Sequence, residues 1–224
     1  MILILYGLLC VANILFDQMG FREGVLFTKP LLMPVLATWF LQQSRQIPGA
    51  FRNFIIAALL CSTAGDVLLM FAHGEGGALY FLMGLSAFLL AHLFYIVSFF
   101  RLLKGKTGFL KANPFYFLPF LLYLAVLLFI LYPGIPDGMK VPVILYGCVI
   151  SGMALSVMNL RGRIPASAWS SLLAGAVLFV LSDSLIALNK FAFSLGSAAV
   201  LIMITYVIGQ YLLVRGAKLC SAGV

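Results

Sequence analysis

Eight apolar stretches, each close to the length that crosses a bilayer, fill most of this chain. They cover residues 2–16, 25–41, 54–72, 78–100, 115–132, 141–160, 168–189 and 194–214. A helix needs about 20 predominantly apolar residues to span the hydrocarbon layer. Only structures that satisfy their own backbone hydrogen bonds survive there, so such stretches become helices. Composition points the same way: 64% of residues are hydrophobic, 9% are charged, and the mean hydropathy is +1.15. A soluble domain carries about 25% charge. A soluble enzyme, a nucleic-acid-binding protein, a disordered chain and a single-span anchored domain are therefore excluded. The expected architecture is an all-α, polytopic transmembrane bundle of eight spans, with residues 1–224 forming one transmembrane domain.

The first stretch lacks the basic leader and small-residue cleavage site of a signal peptide, so it reads as a retained helix. Helix-breaking residues mark the linkers: Gly74, Gly76 and Gly77; Asn113-Pro114; Pro133, Gly134 and Pro136; and Pro165. The last stretch runs almost to the C-terminus, which leaves no room for a domain outside the membrane.

The net charge of +8 would suggest nucleic acid in a soluble protein. Here the basic residues separate the spans and read as topology signals. Arg45, Arg52, Arg101, Lys104, Lys106, Lys111, Arg161, Arg163, Arg215 and Lys218 follow spans two, four, six and eight. Arg22, Lys29, Lys140 and Lys190 fall on the opposite side. Ten against four on alternating connections predicts cytoplasmic termini at both ends. A cell membrane is the expected location, the inner membrane of a bacterium, with lipids rather than nucleic acid as partners. Cys10, Cys61, Cys148 and Cys220 form no CxxC pair and read as inert thiols.

Of six acidic residues, Asp17, Glu23, Glu75 and Asp137 are expected in loops, whereas Asp66 and Asp183 lie inside spans three and seven. Placing a carboxylate in hydrocarbon costs about 2.5 kcal/mol or more, which makes an intramembrane acid a functional candidate. The bland explanation is a structural aspartate that caps a helix or pairs with a lysine. Matched placement favours function: both stand about six residues before the outer end of their spans, roughly 9 Å below the edge. Lys29 opens span two on that side, Tyr146 lies a short way into span six, and Asn189 and Lys190 close span seven. Asn189 is expected in the same angular sector as Asp183, and Ser62 one turn before Asp66 extends a polar seam. Convergence of these groups on one outward-facing pocket is the expectation.

His92 sits in span four, where a lone histidine is more often a hydrogen-bonded packing residue than a catalyst; His73 reads as solvated. Two distant histidines do not supply a three-ligand zinc site, and no metal or cofactor is expected. Ser151-Gly152 lacks the preceding glycine of a serine-hydrolase motif. Thr63-Ala64-Gly65-Asp66 lacks the first glycine of an aspartyl intramembrane protease. Asp66 and Asp183 are 117 residues apart, and Ala91-His92 and Gly209-Gln210 repeat at an offset of 118. A parallel repeat of four spans plus four is compatible with this spacing.

Several segments resemble the lysoplasmalogenase (YhhN-like) membrane family. They are Lys29-Pro30, the run Ala64-Gly65-Asp66-Val67-Leu68-Leu69-Met70, and Gly84 with Phe88, His92 and Tyr95. Gly175-Ala176, the run from Phe179 through Ser182-Asp183-Ser184, and Tyr206 with Gln210 complete the set. The resemblance implies hydrolysis of the vinyl ether bond of lysoplasmalogens, giving a fatty aldehyde and glycerophosphoethanolamine or glycerophosphocholine. It implies Asp66 and Asp183 as the catalytic pair. Lys29, His92, Tyr95, Tyr206 and Gln210 occupy family-motif positions as candidate substrate-binding residues, beside Tyr146 and Asn189. The substrate would be a lysophospholipid held within the bilayer.

Vinyl ether hydrolysis starts with proton delivery to the β-carbon, and water then captures the oxocarbenium ion. Glycoside hydrolysis makes similar demands, with one carboxyl as acid and a second guiding water or steadying the cation. Two carboxyls near the headgroup level suit that chemistry, with Asp183 as the acid. Lys29 is placed either to attract the phosphate or simply to snorkel to the interface. Paired membrane acids also serve proton relays, so a proton-coupled transporter of a small or lipid-like solute is the alternative. A lipid-binding or assembly subunit is a third possibility.

Overall fold

Backbone amides in an apolar solvent must be paired within their own segment, and the chain meets that demand with helices. The computed structural model describes residues 1–72, 74, 76–103, 105–194, 196 and 198–220. His73, Glu75 and Lys104 lie outside the described residues. In chain order the helices are α1 (Ile2–Gln18), α2 (Arg22–Gln43), α3 (Gly49–Met70), α4 (Gly77–Leu103), the short α5 (Phe109–Ala112) and α6 (Leu118–Leu131). Then come α7 (Asp137–Met158), α8 (Ala166–Phe191) and α9 (Ala198–Leu219). Single 3-10 turns, Pro114–Phe117 and Tyr132–Gly134, extend α6 at both ends.

Seven segments are long and apolar enough to cross a membrane: α2, α3, α4, Pro114–Gly134, α7, α8 and α9. The chain is a multi-pass, all-helical membrane protein. The first apolar stretch is also helical, but at 17 residues α1 is shorter than the others. It reaches about 26 Å at 1.5 Å per residue.

Prolines set several helix starts. Pro48, Pro136 and Pro165 immediately precede α3, α7 and α8, where a residue without an N–H leaves no helical hydrogen bond unmade. Gly20 and Gly162 turn the chain after α1 and α7 with φ of 68° and 71°, a conformation that glycine adopts without steric penalty.

The structure moves three charges expected in loops. Asp17 lies in the last turn of α1, Glu23 in the first turn of α2, and Asp137 opens α7. The helices outlast their apolar stretches, and polar residues occupy the end turns. Glu23 and Asp137 there face the positive end of the helix dipole. Asp137 also pairs with Lys140 at 2.6 Å.

The chain divides into two compact units, Met1–Ser98 and Phe99–Val224, with the boundary inside α4. In the first unit α1 packs on α2 and α2 on α3. Leu32, Leu36 and Phe40 of α2 and Ile55 and Leu59 of α3 are fully buried. Asn13 of α1 donates to Thr28 Oγ1 of α2 at 2.8 Å, and Thr28 in turn donates to Gly24 O at 2.7 Å. Small residues bring α3 and α4 together. A Cβ on Gly65 would stand 2.5 Å from the Phe88 ring, and one on Gly84 would stand 2.8 Å from Leu69.

In the second unit α8 and α9 touch through their backbones. A Cβ on Gly175 would stand 2.7 Å from Leu213 N and 2.8 Å from Gly209 O. Ser171 donates to Leu212 O at 2.9 Å and Ser182 to Ile202 O at 3.1 Å. Close backbones and interhelical hydrogen bonds hold helices together where lipid removes the hydrophobic drive. Helix α7 packs on α8, and α6 rests on both. The residues after α7 are pinned to α5: Asn159 accepts from Phe109 N through its carbonyl and from Leu110 N through its side chain, both at 3.0 Å. The Arg161 guanidinium stacks over Phe109, Tyr116 and Trp169, with centroids 5.1, 5.8 and 5.4 Å away.

Gly175→Ala is expected to destabilise the protein by about 1–3 kcal/mol, because the added methyl meets backbone rather than a movable side chain. Thermal unfolding of detergent-purified protein measures this. Gly138→Ala, where a Cβ meets nothing within 4 Å, should leave the melting temperature unchanged or higher.

Candidate functional site

Each unit buries one carboxylate inside a long apolar helix, and each surrounds it with its own polar groups. In the first unit α3 presents Ser62 and Asp66 one turn apart, a spacing that puts both on one helix face. Both are buried, Asp66 to 3% exposure. Tyr6 of α1, also buried, is hydrogen-bonded to Cys10 and interacts electrostatically with Asp66 and with Tyr95 of α4. Lys29, one residue beyond the buried Thr28 on α2, is only partly buried.

His92 and Tyr95 are both completely buried on α4. His92 Nδ1 lies 2.6 Å from Phe88 O, one turn back. A carbonyl only accepts, so Nδ1 carries the proton in this bond. This bond ties the ring to its own helix.

In the second unit Asp183 is buried on α8 at 9% exposure, and Tyr146 of α7 donates to its Oδ2. The neighbouring Ser184 is hydrogen-bonded to the Tyr123 hydroxyl of α6 and donates to Val180 O. Tyr123 also interacts electrostatically with Asp183. Tyr206 of α9 stacks edge-on against Phe179 of α8, with centroids 5.6 Å apart at 87°. Gln210, one turn further along α9, is fully buried.

The structure therefore joins Tyr146 to Asp183, as the candidate site requires. It corrects the placement of Asn189, which is exposed while Asp183 is buried. Six residues at about 100° each leave two side chains roughly 120° apart, so they occupy different helix faces. The equal depth expected for the aspartates also fails when measured to helix ends. Asp66 stands four residues before Met70, the end of α3, and Asp183 eight before Phe191, the end of α8. Apolar runs mark helix ends poorly, because α8 continues through Asn189 and Lys190.

Two tyrosines at these carboxylates carry no motif: Tyr6 and Tyr123. Each is a single tyrosine in an apolar helix, indistinguishable by local pattern from a packing residue. The available signal is long-range, since each stands sixty residues before its aspartate. Among the described residues, no three histidine, cysteine, aspartate or glutamate side chains cluster as metal ligands.

Comparison with known proteins decides the family. The YhhN family model matches residues 25–217. The chain belongs to the YhhN family. It is 31% identical over 202 residues to lysoplasmalogenase TMEM86B of Mus musculus, covering 90% of this chain and 77% of that protein. It is 31% identical over 195 residues to human lysoplasmalogenase TMEM86A, covering 83% and 75%. The lysoplasmalogenase of Mycobacterium tuberculosis is 30% identical over 169 residues, covering 75% and 61%. No solved structure gives a significant match. The segment matched to the YhhN family contains Asp66, Asp183, Tyr123 and Tyr146 and begins after α1, so Tyr6 lies before it.

Removing the phenol that donates to Asp183 should be costly. Tyr146→Phe is expected to lower stability by about 1–3 kcal/mol, the cost of leaving a buried acceptor without its donor. A melting-temperature cycle with Asp183→Asn checks it: the Tyr146→Phe effect should shrink once the carboxylate is gone.

Proposed function

We propose that this chain is a lysoplasmalogenase, an ether hydrolase that cleaves the vinyl ether bond of lysoplasmalogens within the membrane. The observation that carries this reading is its similarity, at about 30% identity over most of its length, to proteins named lysoplasmalogenase. Burial of one aspartate in each unit, each beside tyrosine hydroxyls, supports a carboxylate mechanism. The products are a fatty aldehyde and glycerophosphoethanolamine or glycerophosphocholine.

In this mechanism Asp183 delivers its proton to the β-carbon of the vinyl ether, and the C=C electron pair forms the new C–H bond. Positive charge then spreads over the ether oxygen and its neighbouring carbon. Asp66 steadies that charge and accepts a proton from the water that adds to the carbon, giving a hemiacetal. Collapse of the hemiacetal breaks the original carbon–oxygen bond: its hydroxyl proton passes to Asp183, Asp66 returns its proton to the departing oxygen, and aldehyde and alcohol leave with both carboxyls restored and one net water consumed. Tyr146 orients Asp183 through the bond to Oδ2. Lys29, in the second turn of α2, attracts the phosphate. His92, Tyr95, Tyr206 and Gln210 shape the surroundings of the substrate.

The orientation belongs to the same proposal. Counting α1 as an eighth span puts both termini in the cytoplasm of a bacterial inner membrane, supported by the ten-to-four bias of basic residues. Accessibility tags at the two ends should report the cytoplasmic side; a periplasmic signal from either end would refute the arrangement.

Asp66→Asn and Asp183→Asn should each lower aldehyde release by at least about 100-fold, the lower range for general acid–base catalysis. Both variants should still insert and purify as folded protein. Purified enzyme given a lysoplasmalogen and its saturated-ether analogue should cleave only the vinyl ether. Most activity surviving in either variant would overturn the mechanism. Proton-driven uptake into proteoliposomes without aldehyde would favour a transporter.

A further inference from the structure

The two units carry the same polar pattern at a constant distance along the chain. Tyr6 of α1 and Tyr123 of α6 are 117 residues apart, as are Asp66 of α3 and Asp183 of α8. Only nine of the 224 residues are tyrosine, so a second tyrosine at that prescribed position is uncommon by chance. The same shift sets Lys29 of α2 against Tyr146 of α7, and Gly65 against Ser182. On the last helix of each unit a shift of 118 sets Phe88 against Tyr206 and His92 against Gln210.

Packing inside each unit follows the same order. Helix α1 packs on α2 and α2 on α3, and likewise α6 on α7 and α7 on α8. Gly65 lets the Phe88 ring close on α3. At the corresponding place Ser182 bonds to Ile202 O, and Tyr206 closes on Phe179 of α8. In both units the tyrosine of the leading helix interacts electrostatically with the aspartate of the third. Sequence spacing and packing order are separate observations, and they agree; in the second unit the Tyr123 hydroxyl is bonded to Ser184, the residue beside Asp183.

We propose that the chain is a duplicated four-helix unit, and that Tyr6 is the positioning residue of Asp66, as Tyr123 is of Asp183. The copies have diverged at the second helix. Asp183 receives a phenol hydrogen bond from Tyr146, whereas the matching position holds Lys29. One ancestral carboxylate site has thus acquired two different neighbours, which suits a division into proton donor and charge-steadying partner. The effect of Tyr6 on rate rests on the acid–base reading of Asp66; its pairing with Asp66 does not.

The test uses the full-length purified chain. Melting temperatures of wild type, Tyr6→Phe, Asp66→Asn and the double variant form one cycle; Tyr123→Phe with Asp183→Asn forms another. Non-additive shifts are expected in both cycles, and additive shifts in either overturn the duplicated pairing. Tyr6→Phe, which keeps the ring, should lower kcat at least tenfold with KM within twofold of wild type. A rise in KM alone, or wild-type kinetics, would overturn the positioning role. If wild-type protein releases no aldehyde, the lysoplasmalogenase reading fails while the melting cycles still decide the pairing.

Discussion

A carboxylate inside an apolar helix has no water to stabilise it, so the protein itself must supply every partner it needs. Much of the packing within each unit can be understood from that demand. Asp183 lies next to helices that bring phenols to it, Tyr146 from α7 and Tyr123 from α6. Asp66 interacts electrostatically with Tyr6 of α1, which gives that 17-residue helix a reason to be there. Glycine at position 65, beside that carboxylate, lets α4 close on α3. Polar contacts are scarce in this chain, and several of those within each unit lie around its aspartate.

Much of the architecture was readable before any coordinates. The eight apolar stretches all appear as helices, because in lipid a stretch of that composition has no other way to pair its backbone. Charged residues were misplaced at Asp17, Glu23 and Asp137, since hydropathy marks where apolar side chains stop and not where the helix stops. Hydropathy also gives no rule for whether the 17-residue α1 crosses the bilayer.

The site was legible in part. Asp66 and Asp183 stood out because ionisable residues are rare in such helices. Tyr146 was reachable by counting residues from the membrane edge. Asn189 was misassigned because an offset of roughly 120° was counted as the same sector of the helix. Tyr6 and Tyr123 escaped local inspection because a phenol is amphipathic: its ring fits any apolar helix face, and only its neighbours reveal what the hydroxyl does.

The backbone contact between α8 and α9 has a mechanical consequence. With Gly175 against Leu213 N and Gly209 O, and two serines bonded across the seam, neither helix can slide or roll without breaking several contacts together. They form a stiff double beam that carries Asp183. Helix α6 is different, with Leu121, Leu122, Val126 and Phe129 at least half exposed. That exposed stave is tied to α8 through the Tyr123–Ser184 hydrogen bond, so a shift of α6 breaks that bond while leaving the α8–α9 seam intact.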